Sequence, residues 1–286
     1  MEKLPDYLEF FGLRDHPFRL TPDTKYYFPS RAHQSVHDVL CFGLERGEGF
    51  LVLTGDPGSG KTMLLRLILK NNRPDKELAL LLSPTLGPKE LLMAILEDVG
   101  LPVEASKTKD YFFRQFRDYL LKLADEGKTL ILVIDEAQNL PLESLEELRL
   151  LSNLETEEKK LLQILLVGQP TLGQKLRSSK LAQLLQRITI WERLEPLSYE
   201  ETIAYVQYRW HKAGGVNLEL SRGAAKFLYQ TSQGLPRQIN KIMDRAVLLA
   251  AAEAKRNITW RHLAHALDSF GIPYKRPWLS LLWPWY

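Results

Sequence analysis

The chain has 286 residues, and 38 lysines and arginines stand against 35 aspartates and glutamates, so its formal net charge is +3. This length predicts one large or two modest domains, and 45% hydrophobic and 26% charged residues are typical of a globular protein rather than a disordered one. A near-neutral charge gives no general attraction to nucleic acid, although a local basic patch is compatible with it. The single cysteine, Cys41, excludes an intramolecular disulfide and a zinc site of the Cys type, and favours the cytoplasm. No apolar run reaches the roughly 18 residues that span a bilayer.

Short apolar segments alternate with longer amphipathic ones from Phe50 onward, which is the pattern of βα units around a parallel sheet. The first four strands are apolar throughout and are therefore predicted to be buried by helices on both faces. The fifth alternates apolar and polar residues, as an edge strand does. The predicted strands are 50–54, 77–82, 130–134, 162–167 and 187–193, and the helices among them are 63–70, 88–99 and 111–124.

The strand signals stop after Pro196, and four amphipathic segments follow. Ser198, Ser221 and Thr259 precede three of them as predicted N-caps. The four predicted helices are 198–213, 221–233, 236–254 and 259–270. The fold class is therefore α/β, a five-stranded parallel sheet flanked by helices and followed by a small all-helical domain. The predicted divisions are 1–48, an N-terminal segment and first helix; 49–196, the α/β core; 197–271, the helical domain; and 272–286, an aromatic tail.

A complete P-loop motif lies between the first predicted strand and the helix after it. Its glycines let backbone N–H groups face the phosphates of a nucleotide, its lysine reaches the terminal phosphates, and its threonine offers a hydroxyl to Mg²⁺. The motif therefore predicts an ATP and Mg²⁺ site. Its residues are Gly55, Asp56, Pro57, Gly58, Ser59, Gly60, Lys61 and Thr62.

Two carboxylates follow the third predicted strand. A P-loop protein needs a carboxylate at the end of a neighbouring strand to hold Mg²⁺ through its water shell, and Asp135 is in that position. Glu136 is next in the chain and is suited to orient and deprotonate the attacking water. We therefore predict Asp135 as a metal residue and Glu136 as the catalytic base.

With two arginines added, the pattern resembles an AAA+ ATPase. Arg187 stands directly ahead of Ile188–Trp191 in the fifth predicted strand, and Arg237 follows Gly234-Leu235-Pro236 at the start of a helix. The resemblance implies that Arg187 reaches into the nucleotide of a neighbouring subunit, which requires a homo-oligomer, and that Arg237 is the sensor 2 residue of its own subunit. Each would neutralise charge that develops on the γ-phosphate. Arg177 and Arg193 lie close enough in the chain to compete with Arg187 for the role in trans.

The chain departs from the superfamily pattern at sensor 1, where the resemblance places a polar residue, commonly Asn, after the fourth strand. Gln169 stands there, between Gly168 and Pro170. A glutamine amide can still orient water through a longer arm, so Gln169 is predicted to keep this role.

Several phrases of the sequence are similar to the ExeA/GspA family, over roughly residues 8–270. The family comprises bacterial ATPases of type II secretion and of mannose-sensitive haemagglutinin pilus biogenesis, in which Gln at sensor 1 is a family trait. The resemblance implies Mg²⁺-dependent ATP hydrolysis, secretion or pilus assembly proteins as partners, and a cytoplasmic position at the inner face of the inner membrane. The phrases are FFGL at 10–13, HPF at 16–18, LTPD at 20–23, IDEAQNL at 134–140, LRLLSNLET at 148–156 and LVGQP at 166–170.

A second function shares the same core, namely an ATP-switched, DNA-binding regulator of transposition of the TniB or MuB type. No segment of the sequence forms a known DNA-reading module, and a net charge of +3 gives little attraction to phosphate. The sequence therefore favours the secretion or pilus role over DNA.

Three further patterns have more than one interpretation. The aromatic and histidine residues before the P-loop form either an adenine pocket or ordinary core: His16, Phe18, Tyr26, Tyr27 and Phe28. The acidic residues Glu143, Glu146 and Glu147 predict a solvated helix face. The tail, 277–286, holds three of the six tryptophans after Lys275 and Arg276, and is predicted to contact a membrane surface, another chain or the protein's own body.

Overall fold

A computed structural model describes residues 7–70, 74–82, 84–155 and 160–275. The predicted aromatic tail lies outside the described residues. Within the described part of the chain, no helix is both long enough and apolar enough to cross a membrane. The chain divides into two compact units, one built on residues 32–57 and 64–194 and the other on the described residues of 1–31, 58–63 and 195–286.

The predicted helices and strands are found with bounds shifted by one or two residues. The strands are β1 (Phe50–Gly55), β2 (Lys76–Leu82), β3 (Thr129–Asp135), β4 (Leu162–Gly168), β5 (Ile188–Leu194), β6 (Glu219–Leu220) and β7 (Asn257–Ile258). The helices are α1 (Tyr7–Phe11), α2 (Arg31–Arg46), α3 (Lys61–Lys70), α4 (Pro88–Asp98), α5 (Lys109–Asp125), α6 (Leu142–Leu151), α7 (Pro170–Leu176), α8 (Ala182–Leu185), α9 (Tyr199–Lys212), α10 (Arg222–Ser232), α11 (Pro236–Ala252) and α12 (Trp260–Ser269).

The first five strands form one parallel sheet in the order β2-β3-β4-β1-β5. This confirms the predicted five-stranded parallel sheet and places the fifth strand at an edge. In the register, Thr54 pairs with Gly168, and Leu166 pairs with Ile134. Because the carboxyl ends of parallel strands lie at the same end of a sheet, the segments after β1, β3 and β4 all leave from that end.

Alternate residues of the central strands face two separate apolar cores, because successive side chains of a strand point to opposite faces. On one face, Leu51 and Leu53 of β1 pack with buried residues of α2 and α3. On the other, Phe50 and Val52 pack with buried residues of the helices from α4 to α8. A strand covered on both faces is apolar at every position, which explains the unbroken apolar runs in the sequence.

The prediction that β2 is buried on both faces is wrong. Leu78 is 39% exposed and Leu82 is 67% exposed. The physical reason is that, among the described residues, β2 is the outer strand of the sheet and pairs with β3 alone. The backbone N–H of Leu80 donates instead to the Asp98 carboxylate at the end of α4, at 2.7 Å.

The second unit is helical, and its helices begin where the sequence predicts. Ser198 caps α9 in a reciprocal capping box with Glu201, and Ser221 caps α10. Thr259 caps α12 together with His262. The prediction that no strand follows Pro196 is wrong in one detail, because β6 and β7 pair in parallel. Two-residue strands are too short to produce a periodic sequence signal.

The N-terminal segment belongs to the helical unit and supplies part of its core. Phe18 and Tyr26 are buried there beside Trp210. Arg209 is also buried: its guanidinium donates to the carbonyl of Pro17 at 2.5 Å and lies 4.7 Å from the centre of the Tyr26 ring. The predicted segment 1–48 is thus divided between the two units, while the proposed boundaries at 196 and 271 stay predictions.

Gly234 provides a test of this unit. Its φ is +71°, and an added Cβ would lie 2.0 Å from the carbonyl oxygen of Leu197. We expect Gly234→Ala to lower the free energy of unfolding by about 2 kcal/mol or more, because both the backbone conformation and the contact oppose a side chain. Urea unfolding of the whole chain measures it.

Gly223→Ala is the matched control, since Gly223 is helical and nothing lies within 4 Å of its added Cβ. This change should leave stability equal or raise it by up to about 1 kcal/mol. Equal effects of the two substitutions would contradict the assigned constraint at Gly234.

Candidate functional site

The P-loop leaves the sheet at Gly55, the last residue of β1, and α3 begins at Lys61. Gly58 and Gly60 have φ of +83° and +109°, a backbone region that glycine enters without strain. Lys61 and Ser59 are buried. The first N–H groups of a helix favour an anion. The residues present therefore fit the triphosphate of a nucleotide.

Asp135 and Glu136 are placed where β3 ends. Asp135 is the last residue of that strand and is buried, and its Oδ1 accepts the backbone N–H of Glu136 at 2.9 Å. Glu136 has φ of +54°, which is uncommon for a residue with a side chain. The chain therefore turns sharply at Glu136 into the 3₁₀ turn Ala137–Asn139. The buried carboxylate of Asp135 is an oxygen donor of the kind that Mg²⁺ prefers.

Two glutamine amides hold the Glu136 carboxylate. Its Oε2 accepts from Nε2 of Gln138 at 2.5 Å and from Nε2 of Gln169 at 3.2 Å. Gln138 also accepts, through its Oε1, the backbone N–H of Gln169 at 3.0 Å. The structure thus brings together the predicted base and the predicted sensor 1 residue, which lie 33 positions apart, and connects them through a glutamine that the sequence analysis did not single out.

Lys175 and Gly168 support this arrangement. The Lys175 ammonium on α7 donates to the carbonyl oxygens of Gln138 at 2.8 Å and Leu140 at 2.6 Å. An added Cβ at Gly168 would lie 2.7 Å from Oε1 of Gln138, so only glycine leaves room for that amide. The turn after β3 is therefore fixed to α7 and to the end of β4.

Arg237 lies beside the P-loop within the helical unit. It is the second residue of α11, and its backbone N–H donates to the carbonyl of Gly58 at 3.2 Å. An added Cβ at Gly58 would lie 2.7 Å from the Cβ of Arg237. This close approach puts the predicted sensor 2 residue next to a phosphate-binding turn.

The three arginines near β5 have different positions. Arg187 lies directly before β5, at the end of the sheet where the parallel strands begin, whereas the P-loop lies at the end where they finish. Its guanidinium donates to Ser152 Oγ at 2.9 Å. Arg193 pairs with Thr54 in the sheet register and lies 3.9 Å from Asp56 of the P-loop. Arg177 stacks over the Trp191 ring at 4.7 Å. A strand of this length spans about 20 Å, so Arg187 is too far from its own P-loop to contact a nucleotide there.

The two interpretations of the N-terminal aromatics are resolved for Phe18 and Tyr26. Both are buried in the helical core. Burial and donation to Asp15 raise the pKa of Tyr26 to about 12. Phe28 packs edge-on against Tyr205 and Tyr208. Core packing therefore accounts for these rings.

The prediction that the acidic residues of α6 form a solvated face is wrong for Glu147. Its side chain is 5% exposed and accepts a hydrogen bond from the Lys109 ammonium at 2.7 Å. The partner comes from α5, 38 positions earlier in the chain, and is invisible to local charge patterning.

Sequence patterns contained a signal for Gln138 but none for Lys175. Gln138 falls within the phrase shared with the ExeA/GspA family, two residues after the proposed base. Lys175 is one basic residue among several near the end of a short helix, and only the fold reveals which carbonyls it reaches.

Comparison with known proteins identifies the family. A model of the AAA domain matches residues 44–176. The General secretion pathway protein A of Aeromonas hydrophila is 41% identical over 275 residues, which are 96% of this chain and 50% of that protein. These similarities support an ExeA/GspA-family AAA+ ATPase. This confirms the family prediction, and the chain spans about half the length of this relative.

Solved structures confirm the predicted fold. Cdc6p of Pyrobaculum aerophilum has a TM-score of 0.68 at 16% identity, covering 95% of this chain and 75% of its own. The ORC1 protein of Aeropyrum pernix in complex with DNA has a TM-score of 0.64 at 18% identity, covering 89% and 69%. The RuvB motor of Thermotoga maritima has a TM-score of 0.56 at 18% identity, covering 86% and 70%. At such identities the likeness establishes the fold alone.

The contacts of Lys175 generate a prediction about the stability of the site. Lys175→Met should lower the free energy of unfolding by about 2 kcal/mol, because two partly buried carbonyls lose a charged donor. Thermal unfolding of the nucleotide-free protein measures it. Lys180→Met is the control, since Lys180 is exposed, and it should have no measurable effect. Equal melting temperatures for the two variants would contradict the role assigned to Lys175.

Proposed function

We propose that this chain binds and hydrolyses ATP with Mg²⁺, and that turnover serves the assembly or placement of a secretion or pilus complex in the bacterial envelope. The observation that carries the proposal is the position of Glu136. Its carboxylate is held by two amides at the sheet edge where the P-loop also leaves β1. A carboxylate that acts as a base must be held in a defined orientation, and the two amide hydrogen bonds hold the Glu136 carboxylate in one.

The residues divide the work as follows. Residues 55–62 hold the phosphates through backbone N–H groups, and Lys61 neutralises their charge. Thr62 and Asp135 would hold Mg²⁺, which polarises the phosphoryl oxygens when bound. Glu136 accepts a proton from the attacking water while Gln169 orients that water or the γ-phosphate. Arg237 stabilises the negative charge of the transition state from within the same subunit.

We assign Arg187 a role in trans, in a homo-oligomer. Its position opposite to the P-loop edge supports this assignment, because an arginine that cannot reach its own nucleotide is free to serve a neighbour's. Arg193 faces Asp56 of its own P-loop and is the weaker candidate. Arginines supplied by a neighbour stabilise transition-state charge and make turnover depend on assembly.

The biological role that we propose for this chain, in secretion or pilus assembly, is supported by its similarity to a protein of the general secretion pathway. General secretion pathway protein A matches almost the whole chain, while the chain covers half of that protein. We propose secretion or pilus assembly proteins as partners, a cytoplasmic position at the inner face of the inner membrane, and contact of the tail with that surface. DNA is the less favoured partner, in keeping with the low net charge.

Two substitutions separate binding from turnover. Lys61→Ala should abolish binding of ATP, because the buried ammonium that faces the phosphates is lost, whereas Glu136→Gln should retain binding and lose at least about 100-fold in kcat. Equilibrium binding of a fluorescent ATP analogue and phosphate release, with and without Mg²⁺, measure the two effects. Lys70→Ala and Glu143→Gln, both exposed, are the controls. Retention of most of the wild-type rate by Glu136→Gln would show that another group is the base.

Assembly is tested by mixing inactive variants. Specific activity should rise with protein concentration, and Arg187→Ala mixed with Lys61→Ala should recover part of the activity, since a mixed interface joins an intact P-loop to an intact arginine. Arg117→Ala, an exposed arginine on α5, should keep full activity alone. Turnover that is independent of concentration, with no recovery in the mixture, would exclude the role in trans.

A further inference from the structure

Gln138 makes contacts at both ends of its side-chain amide. The Nε2 group donates to Oε2 of Glu136 at 2.5 Å, and Oε1 accepts the backbone N–H of Gln169 at 3.0 Å. One side chain therefore spans the end of β3 and the end of β4. The roles assigned above to the P-loop, the carboxylates and the arginines leave this bridge without a function.

We propose that Gln138 is a positioning residue that couples the Glu136 carboxylate to Gln169, so that the catalytic base and the sensor are held and moved as one unit. The inference rests on the proposed ATP hydrolysis and deepens it. Gln138 does not touch substrate in this role; it acts through Glu136 and Gln169.

The geometry at Glu136 explains why such a residue is needed. A glutamate side chain has three rotatable bonds, and holding it in one orientation requires contacts that fix its oxygens. Oε2 receives two amide N–H donors, one from Gln138 and one from Gln169. The backbone of Glu136, at φ of +54°, is of a kind that persists only where surrounding contacts determine it. Removal of one donor would leave the carboxylate held by a single amide N–H and therefore less restricted in orientation.

The bridge is itself rigid, because Gln138 is held at its backbone as well. Lys175 donates to the carbonyl oxygens of Gln138 and Leu140. Gly168 leaves just enough room for Oε1, since an added Cβ would lie 2.7 Å from it. A shift of Gln169 must therefore be transmitted to Glu136, whereas the turn of the backbone stays in place.

Gln138→Met tests the inference, since methionine keeps the length of the side chain and removes both hydrogen bonds. We expect kcat for ATP to fall about 10- to 100-fold, the loss of one hydrogen bond to a charged group. The KM for ATP and the Kd of a fluorescent ATP analogue should stay within about twofold of the wild-type values, because Gln138 acts on the base, Glu136, rather than on the P-loop that binds the phosphates. In a Glu136→Gln background, the same change should have almost no further effect on kcat.

Gln207→Met is the matched control. Gln207 makes the same kind of two-ended bridge elsewhere, with its Nε2 donating to the carbonyl of Leu218 at 2.8 Å and its Oε1 accepting the N–H of Leu218 at 3.4 Å. The Gln207→Met variant should lose about as much stability as Gln138→Met and keep the wild-type kcat. Equal kcat values for the two variants, or a parallel rise of KM with the fall in kcat for Gln138→Met, would overturn the proposal.

A second readout does not involve turnover. In nucleotide-free protein, hydrogen exchange of the backbone N–H of Gln169 should become faster in Gln138→Met, because the oxygen that accepts this N–H is gone. Exchange of the same N–H should be unchanged in Gln207→Met. Gly168→Ala should reproduce the faster exchange and the lower kcat with Gln138 still present. Unchanged exchange at Gln169 would also overturn the proposal.

The failure of this proposal can be told apart from the failure of the proposed function. If the wild-type protein does not hydrolyse ATP, the proposed function fails. If the wild-type protein is active and Glu136→Gln is inactive while Gln138→Met has the wild-type rate, only the role of Gln138 fails.

Discussion

The position of β4 between β1 and β3 is the constraint on which the site depends. Hydrogen bonding on both sides of β4 sets Thr54 opposite Gly168, and Ile134 opposite Leu166. The P-loop, the acidic pair and Gln169 come from distant parts of the chain, yet each is attached to a strand whose end is fixed relative to the other two. Burial of these strands on both faces makes that alignment costly to change, since the apolar side chains on each face would leave their cores.

The sheet and most helices could be predicted because their signals are local. Unbroken apolar runs mark strands covered on both faces, and Ser198 and Ser221 mark helix starts by chemistry that acts within three residues. The exposure of Leu78 and Leu82 could not be predicted, because an outer strand with one neighbour has the same composition as an inner one. The pairing of β6 with β7 was missed since two residues show no period.

The site divides in the same way. The P-loop, Asp135 and Glu136 were recognisable from residue types at short spacing next to a strand, and the placement of Gln169 after β4 followed from the order of the elements. The contact between Gln169 and Glu136 was not recognisable, because it joins residues 33 positions apart and depends on the turn that Glu136 itself makes. Similarly, the burial of Glu147 depends on a lysine from another helix. Long-range pairing decides these features, and a single sequence holds no local record of it.

The outer strand has a consequence for how the protein behaves in a crowded solution. β2 presents exposed leucines at the outer edge of the sheet that the structure describes, a combination that can recruit another chain by edge-to-edge growth and so begin aggregation. The Asp98 carboxylate, bonded to the N–H of Leu80, occupies a donor in the middle of that edge and places a negative charge beside it. An incoming strand would have to displace the carboxylate and bury its charge. One acidic side chain at the end of a helix therefore acts as a gatekeeper that keeps molecules from joining through their sheets.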